Sequence, residues 1–198
     1  MNRLRTPVGK QRLSSATAQA PKRRIVHRVA FVLCAAVAGH ASAVTPPPDL
    51  PTLERWIAAS LECKSDFLEN LQNRAFLDRM KALGVALHGD WQEGDLPEGA
   101  FDLPQPITFA AQPVTHVDYW GDSGAEFYAT VAAAADDVVK AVQAKPVPAK
   151  NRHDFDERTI AVRFTNFGRK GDRLPPAVFV RRAENGKGTE VGCRYFDG

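Results

Sequence analysis

The sequence predicts an α+β fold: an antiparallel sheet of about five strands, with an N-terminal helical region and one short inserted helix packed on one face. Three observations carry this expectation. Apolar residues recur at three- and four-residue spacing after Thr52, several later blocks alternate with period two, and no strand–helix–strand repeat supplies a parallel sheet.

The first 43 residues stand apart. They hold eight of the 26 Lys and Arg and none of the 23 acids, followed by an apolar run from Val29 to Gly39 and then Ala41-Ser42-Ala43. A basic start, a short apolar core and an A-x-A site read as a secretory signal peptide, too short to span a bilayer. Cys34 follows Leu33, where a lipoprotein signal wants a small residue, and Ile25-Val26-His27 after Arg23-Arg24 fits a twin-arginine signal poorly. The general export route fits better, to the bacterial periplasm or beyond, with no transmembrane segment after cleavage. The domain plan is therefore 1–43 signal, 44–51 a Pro-rich extended lead-in, and 52–198 a single α+β domain.

Cleavage after Ala43 reverses the charge. The whole chain carries +3, whereas residues 44–198 keep 18 basic and 23 acidic residues, a formal charge of −5. Such a domain has no electrostatic reason to seek phosphate backbones, so nucleic acid is not an expected partner. Of the three cysteines, Cys63 and Cys193 remain after cleavage. An even pair in an oxidising compartment reads as a disulfide, and one closing so long a loop is worth at most about 5 kcal/mol.

The elements follow in order. Val44 to Pro51 is stiff and extended. Thr52 caps a helix whose apolar face is Trp56, Ile57, Leu61, Phe67, Leu68 and Leu71, and Ala75, Phe76, Leu77, Met80 and Leu83 continue it to Gly84. This is one bent helix or two, with a break near Ser65 or Asn73. Residues 88–105, rich in Gly, Pro and acid, read as a long surface loop. Alternation runs from Ile107 to Trp120, broken at Pro113, and Ala125 to Val131 is a second strand. Ala132 to Ala144 is a short helix and residues 145–151 a connector. Strands at Thr159–Phe167, Ala177–Arg182 and Thr189–Phe196 complete the domain, the last two joined through Asn185-Gly186, a hairpin signal.

The chemistry-bearing patterns are few. Gly121-Asp122-Ser123-Gly124 spells the nucleophile motif of trypsin-like proteases, but Ala125-Glu126 follows it and no upstream His and Asp stand in the matching contexts. Gly at both ends with Asp and Ser between makes a tight turn, which is the expectation here. His88 with Asp90, His116 with Asp118, and His153 with Asp154 and Asp156 are local clusters without a zinc spacing, so no metal is expected. No phosphate loop, nucleophile elbow or dinucleotide fingerprint occurs, so no cofactor is expected.

What remains is a contact surface. Trp91 with Asp90, Glu93 and Asp95 forms an acidic-aromatic stretch of the kind that binds a basic or mixed-charge protein, and the hairpin at Tyr119, Trp120 and Asp122 is a second surface. Alternatively, Trp91 and Phe101 anchor the loop to the core. The leading expectation is a non-enzymatic protein-binding domain, of the inhibitor or immunity-factor kind. The competing ones are a small cell-wall or carbohydrate hydrolase using carboxylates such as Asp90 with Glu93 or Asp95 with Glu98, and an envelope structural or assembly factor. A pocket gathering two carboxylates or a His–Asp pair favours the hydrolase. A protruding aromatic loop favours the binder.

Overall fold

The computed structural model describes residues 45–89, 98–122, 124–167 and 174–196, and of Asp122 the backbone only. All belong to one compact unit, Ala41–Gly198. The expected signal peptide, the 90–97 segment, Ser123 and the basic 168–173 segment lie outside the described residues.

The helical region is three helices: α1 (Leu50–Leu61), α2 (Phe67–Leu71) and α3 (Arg74–Ala82). Each starts on a short polar side chain that accepts a backbone N–H: Asp49 from Thr52 at 2.8 Å, Asp66 from Glu69 at 3.3 Å, and Asn73 from Phe76 at 3.1 Å. The cap of α1 is thus Asp49 rather than Thr52, because Pro51 occupies the first turn, where its missing N–H costs nothing. Cys63 ends α1 in the left-handed region at φ 55°, and Gly84 follows α3 at φ 92°. The chain breaks both near Ser65 and at Asn73, which makes three helices where one or two were expected.

Among the described residues eight strands, not five, form one wholly antiparallel sheet: β1 (Ala86–Gly89), β2 (Gly99–Phe109), β3 (Gln112–Asp122), β4 (Gly124–Val131), β5 (Lys145–Pro146), β6 (Thr159–Phe164), β7 (Ala177–Arg182) and β8 (Thr189–Phe196). Their order across the sheet is β1-β2-β3-β4-β8-β7-β6-β5. Two meanders therefore meet along β8, which pairs with β4 on one side and β7 on the other. A helix α4 (Ala135–Ala141) links the meanders, and a 3-10 turn (Ala149–Asp154) follows β5.

Three corrections to the sequence reading explain the extra strands. The stretch read as one strand from Ile107 is a hairpin, turning through Ala110 and Ala111 at φ 50° and 59°. Both residues are left-handed, as a two-residue hairpin loop demands, yet neither is the Gly or Asn that usually marks it. The stretch read as loop from His88 to Gln105 contributes the end of β1 and the start of β2. Pro104 and Pro106 fit in β2 because β1 pairs only with Gly99 to Asp102, which leaves the outer edge of β2 unpaired beyond that point. The connector after Lys145 supplies β5 and the 3-10 turn.

The sheet has unlike faces. On one face Phe127, Tyr119, Phe101, Val117, Val191 and Val180 pack under the helices, with Leu53, Ile57, Leu61, Phe67 and Met80 as the helical side of the core. Phe67 lies at its centre, with ring centroids 5.1 Å from Phe127, 4.9 Å from Tyr195 and 5.9 Å from Tyr119. Cys63 and Cys193 form a disulfide on this face, their Cα atoms 5.1 Å apart, fastening the end of α1 to the middle of the sheet. Among the described residues, the opposite face carries no α-helix. A smaller cluster covers its β6–β8 end, where Phe155 packs on Val162, Ala177, Phe179 and Phe196. The remainder of that face mixes charged side chains with Trp120 and Tyr128.

Candidate functional site

Alternation decides what reaches the helix-free face. In β4, Ala125, Phe127, Ala129 and Val131 serve the core, so Glu126 and Tyr128 point the other way. Register carries the same parity outward: Glu126 aligns with Trp120 and Arg194, Tyr128 with Asp118 and Gly192, and Gly192 in turn with Phe179. Together with Asp156 and Arg158, after the 3-10 turn, these strands line an open cleft of about 650 Å³. His88, Glu98, Asp118, Trp120, Tyr128 and Glu184 are on its walls.

The floor is a charge network centred on buried Arg181, Glu126 and Glu190, with Arg194, Asp156 and Arg158 partly exposed around them. Arg181 binds Glu126 at 2.7 Å and also Glu190, while Glu126 takes Arg194 on its other oxygen at 2.9 Å. Arg158 binds Asp156 at 2.9 Å and reaches Glu190 at 3.8 Å. Taking ions out of water costs several kcal/mol each, so these charges persist only because every one has an opposite partner. The Arg181 guanidinium also lies over Tyr128 and Phe179, 4.8 and 4.7 Å from their ring centroids. Gly192 stands in register between those two aromatics. A Cβ there would come within 2.1 Å of the Phe127 carbonyl oxygen. Burial pushes the Tyr128 hydroxyl up to about 12, so it stays a neutral phenol.

The β1–β3 wall carries a different array. Asp102 takes His88 Nε2 on one oxygen at 2.7 Å and His116 Nδ1 on the other at 2.6 Å. The second nitrogen of His116 meets Asp118 at 3.3 Å. Four alternating groups thus run Asp118–His116–Asp102–His88, with both end members on the cleft. Hydrogen bonds from His116 and then His88 hold Asp102 below the usual carboxylate range. Burial alone would depress His116, but its bond to Asp102 and the charge of Asp118 outweigh it and leave the imidazole above its usual value. For Asp118 burial dominates, and its carboxyl is raised despite His116. Among the described residues no three such side chains converge as metal ligands do.

The residues expected at the site fall into three groups. Trp120 is on the cleft wall, whereas Tyr119 is buried on the helix side against Phe67, which leaves Trp120 to face the cleft. Phe101 is likewise wholly in the core. Asp90, Trp91, Glu93 and Asp95 are outside the described residues, but the segment that carries them joins Gly89 to Glu98, and both of those line the cleft. Asp122 closes the β3–β4 hairpin through its pairing with Gly124. His153 lies 3.4 Å from Asp154, and Asp156 is given over to Arg158. Sequence reasoning missed Asp102, Glu126 and Arg181. The parity of Arg181 was legible in the expected strand Ala177–Arg182, whereas Asp102 fell in a stretch read as loop and Glu126 showed its role only once β4 was paired with β3 and β8. Set against family models, curated proteins and solved structures, the chain matches none of them.

Proposed function

We propose that this is an exported protein-binding domain, of the inhibitor or immunity-factor kind, that takes a basic segment of its partner into the helix-free cleft. One observation carries the reading: the cleft lining holds five carboxylates, Glu98, Asp118, Glu126, Asp156 and Glu184, against three arginines. The arginines are already spent on Glu126, Asp156 and Glu190. Glu98 and Glu184 form no ion pair with a described residue, so what the cleft offers a ligand is negative charge beside Trp120 and Tyr128. A Lys or Arg side chain answers both features, through its charge and through the aromatic faces. Gly89 and Glu98, which flank the acidic, Trp91-bearing segment in sequence, both line the cleft. Export is supported by the buried disulfide and by the basic, acid-free leader, and no described helix is long and apolar enough to cross a membrane.

The cleft does gather carboxylates and a His–Asp pair, the arrangement that favours a hydrolase. A glycosidase needs two carboxyl groups free to exchange a proton or form a bond. Glu126 is held by two arginines and Asp156 by one, Glu98 and Glu184 are exposed to solvent, and half-buried Asp118 is left as the cleft carboxyl that burial raises. One such group favours binding over hydrolysis.

The test is capture of partners from envelope extract on the disulfide-bonded domain, with Trp120→Ala and Trp91→Ala alongside. Loss of an aromatic anchor costs about 2 kcal/mol or more, so each variant is expected to weaken retention of a basic partner at least tenfold. Retention indifferent to both substitutions, or turnover of cell-wall glycans that Asp118→Asn abolishes, would overturn the reading.

A further inference from the structure

We infer that the cleft is proton-gated: His116 bridges Asp102 and Asp118, and loss of its proton frees the Asp118 carboxylate to meet a bound cation. This inference rests on the basic-segment reading of the cleft and names its regulation.

The argument begins with the hydrogen count. Each ring nitrogen of His116 faces a carboxylate oxygen, Asp102 at 2.6 Å and Asp118 at 3.3 Å. A neutral imidazole has a single N–H, so only the imidazolium satisfies both contacts. When the proton leaves to solvent, one nitrogen must turn a lone pair toward a carboxylate. The shorter bond to Asp102 is the one to keep, because Asp102 is also fixed from its other side by His88. The contact with Asp118 is therefore the one that fails.

The surroundings leave the consequence in the cleft. From β1, His88 acts on Asp102; from β2, Asp102 is the only charge in register with His116. From β4, Tyr128 aligns with Asp118 and stays neutral, and Glu126 lies two pairs further along, held by Arg181 and Arg194. Across the floor, Arg181 and Glu190 act on Asp118 in opposite senses. His116 is thus the cation in contact with Asp118, and no other described cation bonds to it. Its deprotonation adds one net negative charge to a wall that already offers negative charge. By linkage, a cation bound there must favour proton release from His116 to the same extent.

The experiment is calorimetric titration of the disulfide-bonded full chain with an acetylated, amidated tetralysine peptide between pH 5.5 and 8.5 at constant ionic strength. The wild type is expected to bind about fivefold more tightly at the upper pH, the low end of usual coupling because the array is half exposed and screened. His116→Gln and Asp118→Asn are expected to abolish that slope, with folding checked by circular dichroism. The ring nitrogens of His116, followed by ¹⁵N NMR, should both be protonated at pH 6. No binding at any pH overturns the reading of the cleft and the gate with it. Binding that is independent of pH, or an unchanged slope in His116→Gln, overturns the gate and leaves the reading standing.

Discussion

Arg181 Nη1 meets Glu126 Oε2 at 2.7 Å, although 55 residues separate them in sequence. The contact crosses β8, so it forms only when β7, β8 and β4 are all in place. Both groups are more than nine-tenths buried. Removing one partner leaves the other under-compensated, since Glu126 keeps only Arg194 and Arg181 only Glu190; a buried pair broken with no such partner left costs about 3–5 kcal/mol. Arg181→Met is therefore expected to lower the urea midpoint strongly. Glu126→Gln, which leaves both Arg181 and Arg194 short of charge, is expected to do so as well. Arg182→Met, at the exposed last residue of β7, should change it by less than about 0.5 kcal/mol.

Gly192 is expected to tolerate no side chain. A methyl group there meets backbone, the Phe127 carbonyl oxygen at 2.1 Å and the Tyr128 Cα at 2.5 Å, and neither can move without parting β4 from β8. Gly192→Ala should cost at least as much as ordinary core overpacking, about 1–3 kcal/mol. Thermal unfolding followed by circular dichroism measures it. Gly186→Ala is the comparison: nothing lies within 4 Å, so only its φ of 69° resists the substitution.

The disulfide between Cys63 and Cys193 closes a loop of 130 residues. Chain-entropy arithmetic gives about 5 kcal/mol as an upper figure. Reduction, or Cys63→Ser with Cys193→Ser, is expected to lower the melting temperature by several degrees while far-ultraviolet dichroism keeps its folded shape. A melting point indifferent to dithiothreitol, with two free thiols titrated in the untreated protein, would contradict the assignment.

Stability is expected to fall between pH 5.5 and 8.5 in step with His116. Its folded pKa is raised, so its contribution is fully present below about 6.5 and is lost as pH rises through the folded value. In the acid limb Asp102, whose value is lowered, contributes above about 3.9 and loses that contribution as pH falls, while Asp118, whose value is raised, works against it. The alkaline comparison therefore isolates the histidine. The array is half exposed, so solvent screening keeps the change small. Urea midpoints at the two pH values should differ in the wild type and converge in His116→Gln.

The two halves of the molecule were not equally readable. Ala177–Arg182 and Thr189–Phe196 match β7 and β8 residue for residue, because alternation is clean and Asn185-Gly186 marks the turn. The Cys63–Cys193 pairing followed from counting cysteines. The Ala110-Ala111 turn was illegible, since two alanines carry no local preference for positive φ and tertiary pairing alone forces it. The cleft was hidden for a related reason. Its floor joins the β3–β4 hairpin, the β7–β8 hairpin and the segment after the 3-10 turn, three stretches well separated in sequence. Single acids and arginines such as Glu126 and Arg181 look like ordinary surface charges until the long-range pairing of β4 with β8 brings them together.

That pairing also sets an order of events as the polypeptide emerges. The β1–β4 meander and the β5–β7 meander have no common edge until Thr189 to Phe196 arrives between them, the last strand to leave the synthesising or exporting machinery. The first meander and its helices must therefore wait with β4 exposed for at least the 57 residues from Val131 to Thr189, and closing so distant a contact is slow. Chains arrested before Thr189 are expected to be cut readily by protease, and full-length chains to become resistant in a single late step.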